Sequence, residues 1–311
     1  NWLASKQLKL ILPVDCQFSI VNLGHDRQCK EDDWMSKSTS YVSLFSGGMG
    51  LDIGLEHNGF MAEVCNENDL ASVATIQRNR PNIPVIVQSV VDVSSAVLER
   101  AVGRTLVNIP LVAGGPPCQA FSVYGNRRGT DDDRGKLIFE FLRVIEELRP
   151  LTFLMENVRG LHSMALLPKS HRNKKNPHTF PGSLLREVFR RFEEIGYRVD
   201  AFLVNAANYG APQIRERLIC LGNRFNIRAT FAQPTHSNRP SDRLLPFCTL
   251  RNAIGNGFKD TDTGCMNFSE RKLEYLALIP PGGNWRAMPV EVQKESMGKA
   301  WYLKGGRSAY W

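Results

Sequence analysis

A cysteine held behind two prolines is the residue in this chain best placed for nucleophilic chemistry. Residues 115–122 read Gly-Pro-Pro-Cys-Gln-Ala-Phe-Ser, directly after the apolar stretch Ile109–Ala113. Prolines fix φ and bias each preceding residue to extended geometry. Gly114 and Gly115 let the chain turn sharply. The expected product is a stiff bend presenting Cys118 at the sheet edge where ligands of open α/β sheets bind.

Other constellations can carry chemistry, though each alone has a bland reading. Ser46-Gly47-Gly48-Met49-Gly50 follows the apolar run Tyr41–Phe45 and precedes a helical stretch. Such a loop lets a ligand approach the backbone and offers it a helix N-terminus, yet many α/β folds have a Gly-rich first turn. The next strand ends in Cys65-Asn66-Glu67-Asn68-Asp69. An acid there holds a ribose diol in dinucleotide folds; the alternative is an N-cap or surface carboxylate. Val91-Asp92-Val93 repeats the pattern after a third strand. Glu156-Asn157-Val158 follows the strand Thr152–Met155, and lies near Cys118 if the fourth and fifth strands are neighbours. Partial burial there raises a carboxyl pKa towards proton sharing near neutrality; a helix-capping acid is the alternative. In strand geometry Gln213, Arg215 and Arg217 point to one face. They read as anion or base contacts, or as an exposed edge strand.

The elements that must position these residues alternate along the chain. Strands are expected at Tyr41–Phe45, Phe60–Asn66, Val85–Val87, Ile109–Ala113, Thr152–Met155, Tyr197–Asn205 and Leu218–Gly222. Helices are expected to about Asn58, through Arg78, and over Lys136–Leu148 and Leu184–Ile195. This alternation indicates an α/β chain with a doubly wound, mostly parallel sheet. Lys169–His178 reads as a basic, solvated loop. After about Phe225 periodicity fades, apart from a helix at Glu270–Leu278 before Ile279-Pro280-Pro281-Gly282-Gly283-Asn284-Trp285-Arg286. Three parts follow: an extension over 1–40, a catalytic domain over 41–225, and the start of a second domain over 226–311.

Composition narrows the class. The chain has 311 residues, 42% of them apolar, enough to bury a full core. Its net charge of +8 suits a polyanionic partner without proving one. Seven scattered cysteines without a CxxC pattern argue for reduced thiols rather than a disulfide framework. No cysteine and histidine have zinc-ligand spacing, so no metal is expected. No apolar run reaches the length of a membrane span, and Leu8–Val14 lacks the cleavage pattern of a signal peptide.

Taken in order, the Gly-rich loop, the strand-end Glu67, Pro-Pro-Cys-Gln, Glu-Asn-Val and Gln-x-Arg-x-Arg resemble the C5-cytosine DNA methyltransferases. The resemblance runs from about Tyr41 to Arg224. It includes Asp133-Arg134-Gly135 and Tyr209-Gly210-Ala211-Pro212. It implies the class I S-adenosylmethionine-dependent methyltransferase fold, with S-adenosyl-L-methionine as cofactor and double-stranded DNA as partner. A bacterial cytoplasmic or nucleoid setting follows, in restriction-modification or epigenetic methylation. An RNA cytosine-5 methyltransferase of the same superfamily, or a non-catalytic DNA-binding subunit, are the alternatives.

By that resemblance the Cys118 thiolate would add to C6 of a flipped-out cytosine while Glu156 engages N3 and Arg217 holds O2. C5 would then take the methyl group. Phe45, Ser46, Gly47, Gly50, Glu67, Asn68, Asp92, Val93, Pro117 and Leu137 would form the cofactor site. Within it, Glu67 would take the ribose hydroxyls and Asp92 the adenine amino group. Gln119, Ser122 and Arg215 would contact DNA, and Phe121–Asp133 has the composition of a mobile lid. Met49 stands where many members have Gly, which predicts a less open loop. Asn68 stands where many place a ring.

Ile279–Arg286 resembles the segment leading into the family's target-recognition region. The expected closing helix with its Gly-Asn-Ser pattern is not found. The expectation is therefore a fragment, or a chain completed by a second polypeptide as in the few split members of the family. The 311 residues alone are then expected to show weak or no sequence-specific methylation.

Overall fold

The computed structural model describes residues 11–12, 16–17, 39–117, 133–166, 180–241, 243–255, 268–280 and 283–297. In chain order the strands are β1 (Ile11–Leu12), β2 (Cys16–Gln17), β3 (Thr39–Leu44), β4 (Phe60–Asn66), β5 (Val85–Ile86), β6 (Leu111–Gly114), β7 (Thr152–Val158), β8 (Arg198–Asn205), β9 (Glu216–Asn223), β10 (His236–Ser237) and β11 (Leu245–Pro246). The helices are α1 (Gly50–Glu56), α2 (Leu70–Asn79), α3 (Ser95–Val102), α4 (Asp133–Leu148), α5 (Ser183–Glu194), α6 (Leu250–Ile254), α7 (Glu270–Ala277) and α8 (Val290–Met297).

Seven strands form one sheet in the order β5-β4-β3-β6-β7-β9-β8. Pairings from β5 across to β7 are parallel, and β9 runs antiparallel to both β7 and β8. The chain winds outward from β3 to β5, then returns to lay β6 against the other side of β3. The ends of β3 and β6 therefore form the crevice where open α/β sheets bind ligands. The doubly wound, mostly parallel sheet matches the expected fold class.

Alternation along the strands supplies both faces. Val42, Leu44, Val112, Phe153 and Met155 enter the larger core. Tyr41, Leu111, Ala113 and Leu154 face a second cluster with Leu55 and Phe60. On the larger side α4 contributes Ile138, Phe141, Leu142, Val144, Ile145 and Leu148, spaced at helical period. Phe153 stacks on Phe192 of α5 at 4.3 Å between ring centroids and meets Phe141 edge-on at 6.0 Å. Tyr197 joins this group, and its hydroxyl donates to the Pro150 carbonyl at 2.6 Å.

Two glycines are required by close packing. A Cβ on Gly114, the last residue of β6, would lie 2.8 Å from the Leu44 carbonyl oxygen. A Cβ on Gly222 would lie 2.0 Å from Phe153 Cε1.

The structure also differs from the sequence expectation. β7 continues through Val158, so Glu156 and Asn157 lie inside a strand rather than after one. β9 begins at Glu216, so Gln213 and Arg215 precede the strand and do not share a strand face with Arg217. Asn205 is the reason: its side-chain carbonyl accepts from Arg215 N at 3.1 Å and ties that residue into a turn. Helices α3, α6 and α8 were not anticipated.

Candidate active site

The end of β7 carries an acid and a buried amide side by side. Glu156 Oε1 stands 2.7 Å from Arg217 Nε. Arg217 lies opposite Val158 in the β7–β9 register, which puts it diagonal to Glu156 on the same sheet face. A Cβ on Gly115 would be 3.4 Å from Glu156 Oε2. The carboxylate thus sits between the loop leading to Cys118 and the start of β9. Its side chain is 30% exposed and that of Arg217 21%, so the pair faces the site without being sealed from it. Glu216, beside Arg217, is held by Arg159 at 2.6 Å.

Asn157 had no expected role beyond its place in the motif. It is buried, its Nδ2 donates to the Pro116 carbonyl at 3.0 Å, and its Oδ1 accepts from Val158 N at 2.9 Å. It therefore straps the proline loop to β7. A polar side chain beside an acid at a strand end was the available signal. Cys118, Gln119, Ser122 and the rest of the stretch 121–132 lie outside the described residues, as do Lys169–His178.

The second group of residues gathers at the ends of β3, β4 and β5. Phe45 and Gly47 adopt positive φ, at 54° and 53°. Ser46 N donates to the Asn66 carbonyl at 3.1 Å. Its buried hydroxyl lies 2.8 Å from Ser43 Oγ. Asn66, itself buried, donates from Nδ2 to the carbonyls of Ile86 and Gln88 at 3.1 and 2.9 Å, which locks β4 to β5. Glu67 turns its carboxylate into the glycine loop: Oε2 accepts from Gly47 N at 2.7 Å, and Oε1 from Asn68 N and Asp69 N at 2.9 and 2.8 Å. Asp92 is exposed in a short 3₁₀ turn, Val90–Asp92, with Val93 buried behind it. Phe45 and Leu137 pack against the larger core from the rim.

Met49 does not fill the cradle. It adopts φ 64° and buries its side chain with Cys65 and Ile76 beneath the loop. A Cβ placed on Gly47, Gly48 or Gly50 would find nothing within 4 Å. An open glycine loop with a carboxylate at its edge fits a cofactor bearing a ribose.

Below this loop lies a buried acid that sequence reasoning passed over. Asp52 is 2% exposed and accepts from the Tyr41 hydroxyl at 2.9 Å. Burial pushes its carboxyl above the ordinary range, against the opposing hydrogen bonds of Ser43 and Tyr41. Burial likewise pushes the Cys65 and Cys220 thiols up to about 12, which leaves both as inert core groups.

The model of the C-5 cytosine-specific DNA methylases matches residues 39–308. The chain belongs to that family. It is 36% identical over 279 residues to the type II methyltransferase M.PspPI of a Psychrobacter strain, covering 88% of this chain and 60% of that protein. It is 37% identical over 224 residues to the type II methyltransferase M.AquIA of a Picosynechococcus strain, covering 68% and 86%. The chain thus spans about three fifths of the first relative's length and most of the second's. A solved Escherichia coli structure, described as a DNA modification methyltransferase encoded within a prophage, superposes with a TM-score of 0.53 at 24% identity. It covers 80% of this chain and 67% of that one, and carries the fold alone. Among the described residues no helix is long and apolar enough to cross a membrane.

Proposed function

We propose that this chain is a DNA (cytosine-5-)-methyltransferase that uses S-adenosyl-L-methionine, with Cys118 as nucleophile and Glu156 and Arg217 as the groups that hold the base. The observation that carries the reading is the Glu156–Arg217 pair at 2.7 Å, beside the residues that lead into Cys118. Its setting beside type II relatives supports a restriction-modification role in a bacterial cell.

Cytosine C5 is a poor nucleophile, and covalent catalysis is the physical remedy. The Cys118 thiolate forms a bond to C6, and the ring electrons shift towards N3, where Glu156 holds or supplies a proton. Arg217 keeps Glu156 oriented and offers its remaining N–H groups to the O2 of the base. C5 is then an enamine carbon, and its electron pair would form the bond to the methyl group as the methyl–sulfur bond of the donor breaks and the sulfonium leaves as a neutral thioether. Loss of the C5 proton to water then restores the C5–C6 double bond and expels the thiolate, and the N3 proton returns to Glu156. The bound cofactor supplies a methyl group activated by a sulfonium. Glu67 and the glycine loop would hold its ribose, and Asp92 and Val93 would border its adenine. A base in a duplex must leave the stack to reach this site, at a cost of a few kcal/mol. Gln119, Ser122 and Arg215 are assigned to the DNA backbone, and a second polypeptide is a further candidate partner.

The test uses duplex DNA carrying 5-fluorocytosine with S-adenosylmethionine. Fluorine at C5 blocks the final elimination, so the enzyme stays covalently bound. An adduct with the natural chain and none with Cys118→Ala is the expected result. An adduct that persists in Cys118→Ala overturns the assignment.

A further inference from the structure

We infer that Ile214 is an apolar DNA contact, held out at the tip of a braced turn beside the base-holding pair. The inference rests on the methyltransferase reading above and adds a residue of its own. Among the described residues Ile214 is the most exposed large apolar side chain, at 78%. Single exposed apolar residues are common on protein surfaces and by themselves mean little. The bracing of this one sets it apart.

The turn runs from Asn205 to Arg215 and is pinned at both ends. Asn205 Oδ1 accepts from Ala207 N at 3.2 Å and from Arg215 N at 3.1 Å. Ala206 N donates to the Arg215 carbonyl at 2.9 Å, and Ala211 N to the Ala206 carbonyl at 3.2 Å. Its far side is fastened to the following segment. The Tyr209 hydroxyl donates to the Ala232 carbonyl at 2.9 Å, and Thr235 N donates to the Asn208 carbonyl at 2.9 Å. The His236 ring covers Gly210 so closely that a Cβ there would meet it at 3.0 Å. Between the fixed Ala211 and Arg215, Pro212 restricts φ. Ile214 therefore sits between two backbone positions that hydrogen bonds fix, Ala211 and Arg215.

The surroundings say what covers it. Gln213 and Arg215 on either side are exposed, and two residues further on Arg217 meets Glu156. An apolar side chain flanked by a cation and an amide, next to the pocket for an extruded base, matches a nucleotide. The apolar part takes the deoxyribose or the edge of the neighbouring base, and Arg215 takes the phosphate. Burial of an aliphatic side chain against DNA adds affinity that salt does not weaken, whereas a phosphate contact is lost with rising salt.

Equilibrium binding to a labelled DNA duplex of mixed cytosine contexts, titrated over a range of salt, separates the two. Ile214→Ala is expected to bind about three- to tenfold more weakly with an unchanged salt slope. Ile214→Val should stay within about twofold of the natural chain, because it keeps most of the apolar surface. Arg215→Ala should flatten the slope by about one. An unchanged thermal midpoint in Ile214→Ala shows that the effect is on contact and not on folding. Ile214→Ala binding as tightly as the natural chain, while Arg215→Ala is weakened, overturns the Ile214 contact and leaves the methyltransferase reading standing. A natural chain that binds no duplex at low salt overturns both.

Discussion

Arg217 reaches Glu156 from an antiparallel strand, with its Nε 2.7 Å from the carboxylate. On the proposed function the two act as one unit against the base. Glu156→Gln and Arg217→Ala should each lower methyl transfer by about 10²–10⁴-fold. The double variant should fall little below the worse single one, since removing either partner already disables the unit. Single-turnover methylation measures this, and losses that simply multiply would refute the coupling.

Asn157 connects the proline loop to β7 through the Pro116 carbonyl. Asn157→Ala leaves that acceptor without its partner in a buried place. A loss of about 1–3 kcal/mol in stability is expected. Slower adduct formation on 5-fluorocytosine DNA should accompany it at temperatures where the variant is fully folded. Adduct rates equal to those of the natural chain would show that the strap serves stability alone.

Asp52 gives the fold a pH dependence of defined sign. Burial raises its folded-state pKa above the unfolded value. The stabilisation linked to its protonated form is complete below the unfolded pKa and lost as pH rises through the folded one. Asp52→Asn keeps an acceptor for Tyr41 and removes the buried charge. Its thermal midpoint should exceed that of the natural chain at neutral pH, with the gap closing towards acid. Each kcal/mol corresponds to about 2–4 °C in a domain of this size. A midpoint lower than that of the natural chain at neutral pH would contradict the assignment.

Gly222→Ala places a methyl group into the Phe153 ring, which Phe192 and Phe141 already hold from two other sides. Overpacking of this kind costs about 1–3 kcal/mol, and the upper end is expected here. Chemical denaturation reads the loss directly, and an unchanged midpoint would mean that the ring can move aside.

The sheet was legible because its strands are short apolar runs separated by glycine loops and amphipathic helices. Phe60–Asn66 coincides with β4, while β3 and β6 are displaced by one or two residues. The motifs located Glu156, Arg217 and Glu67, since strand ends in this topology fall on one edge. Less visible were features set by long-range polar contacts. Nothing local says that Asn205 will capture Arg215 N across the turn, so the arginines seemed to share one strand. Met49 looked like an obstruction because a sequence does not show that its backbone turns left-handed and drops the side chain into the core. Helix α3 buries Leu98 alone, so it offers little apolar stripe to read.

The reversed strand has a consequence for how the molecule is made. β9 is inserted between β7 and β8, so the sheet remains open at β7 until the last hairpin is in place. A nascent chain emerging from the ribosome can pair β3 through β7 before β9 exists, because all five strands precede residue 216. The guanidinium that completes the acid arrives only with the final insertion. Closing such distant pairings is slow. The growing polypeptide is then expected to complete its glycine loop while Glu156 still lacks its guanidinium partner.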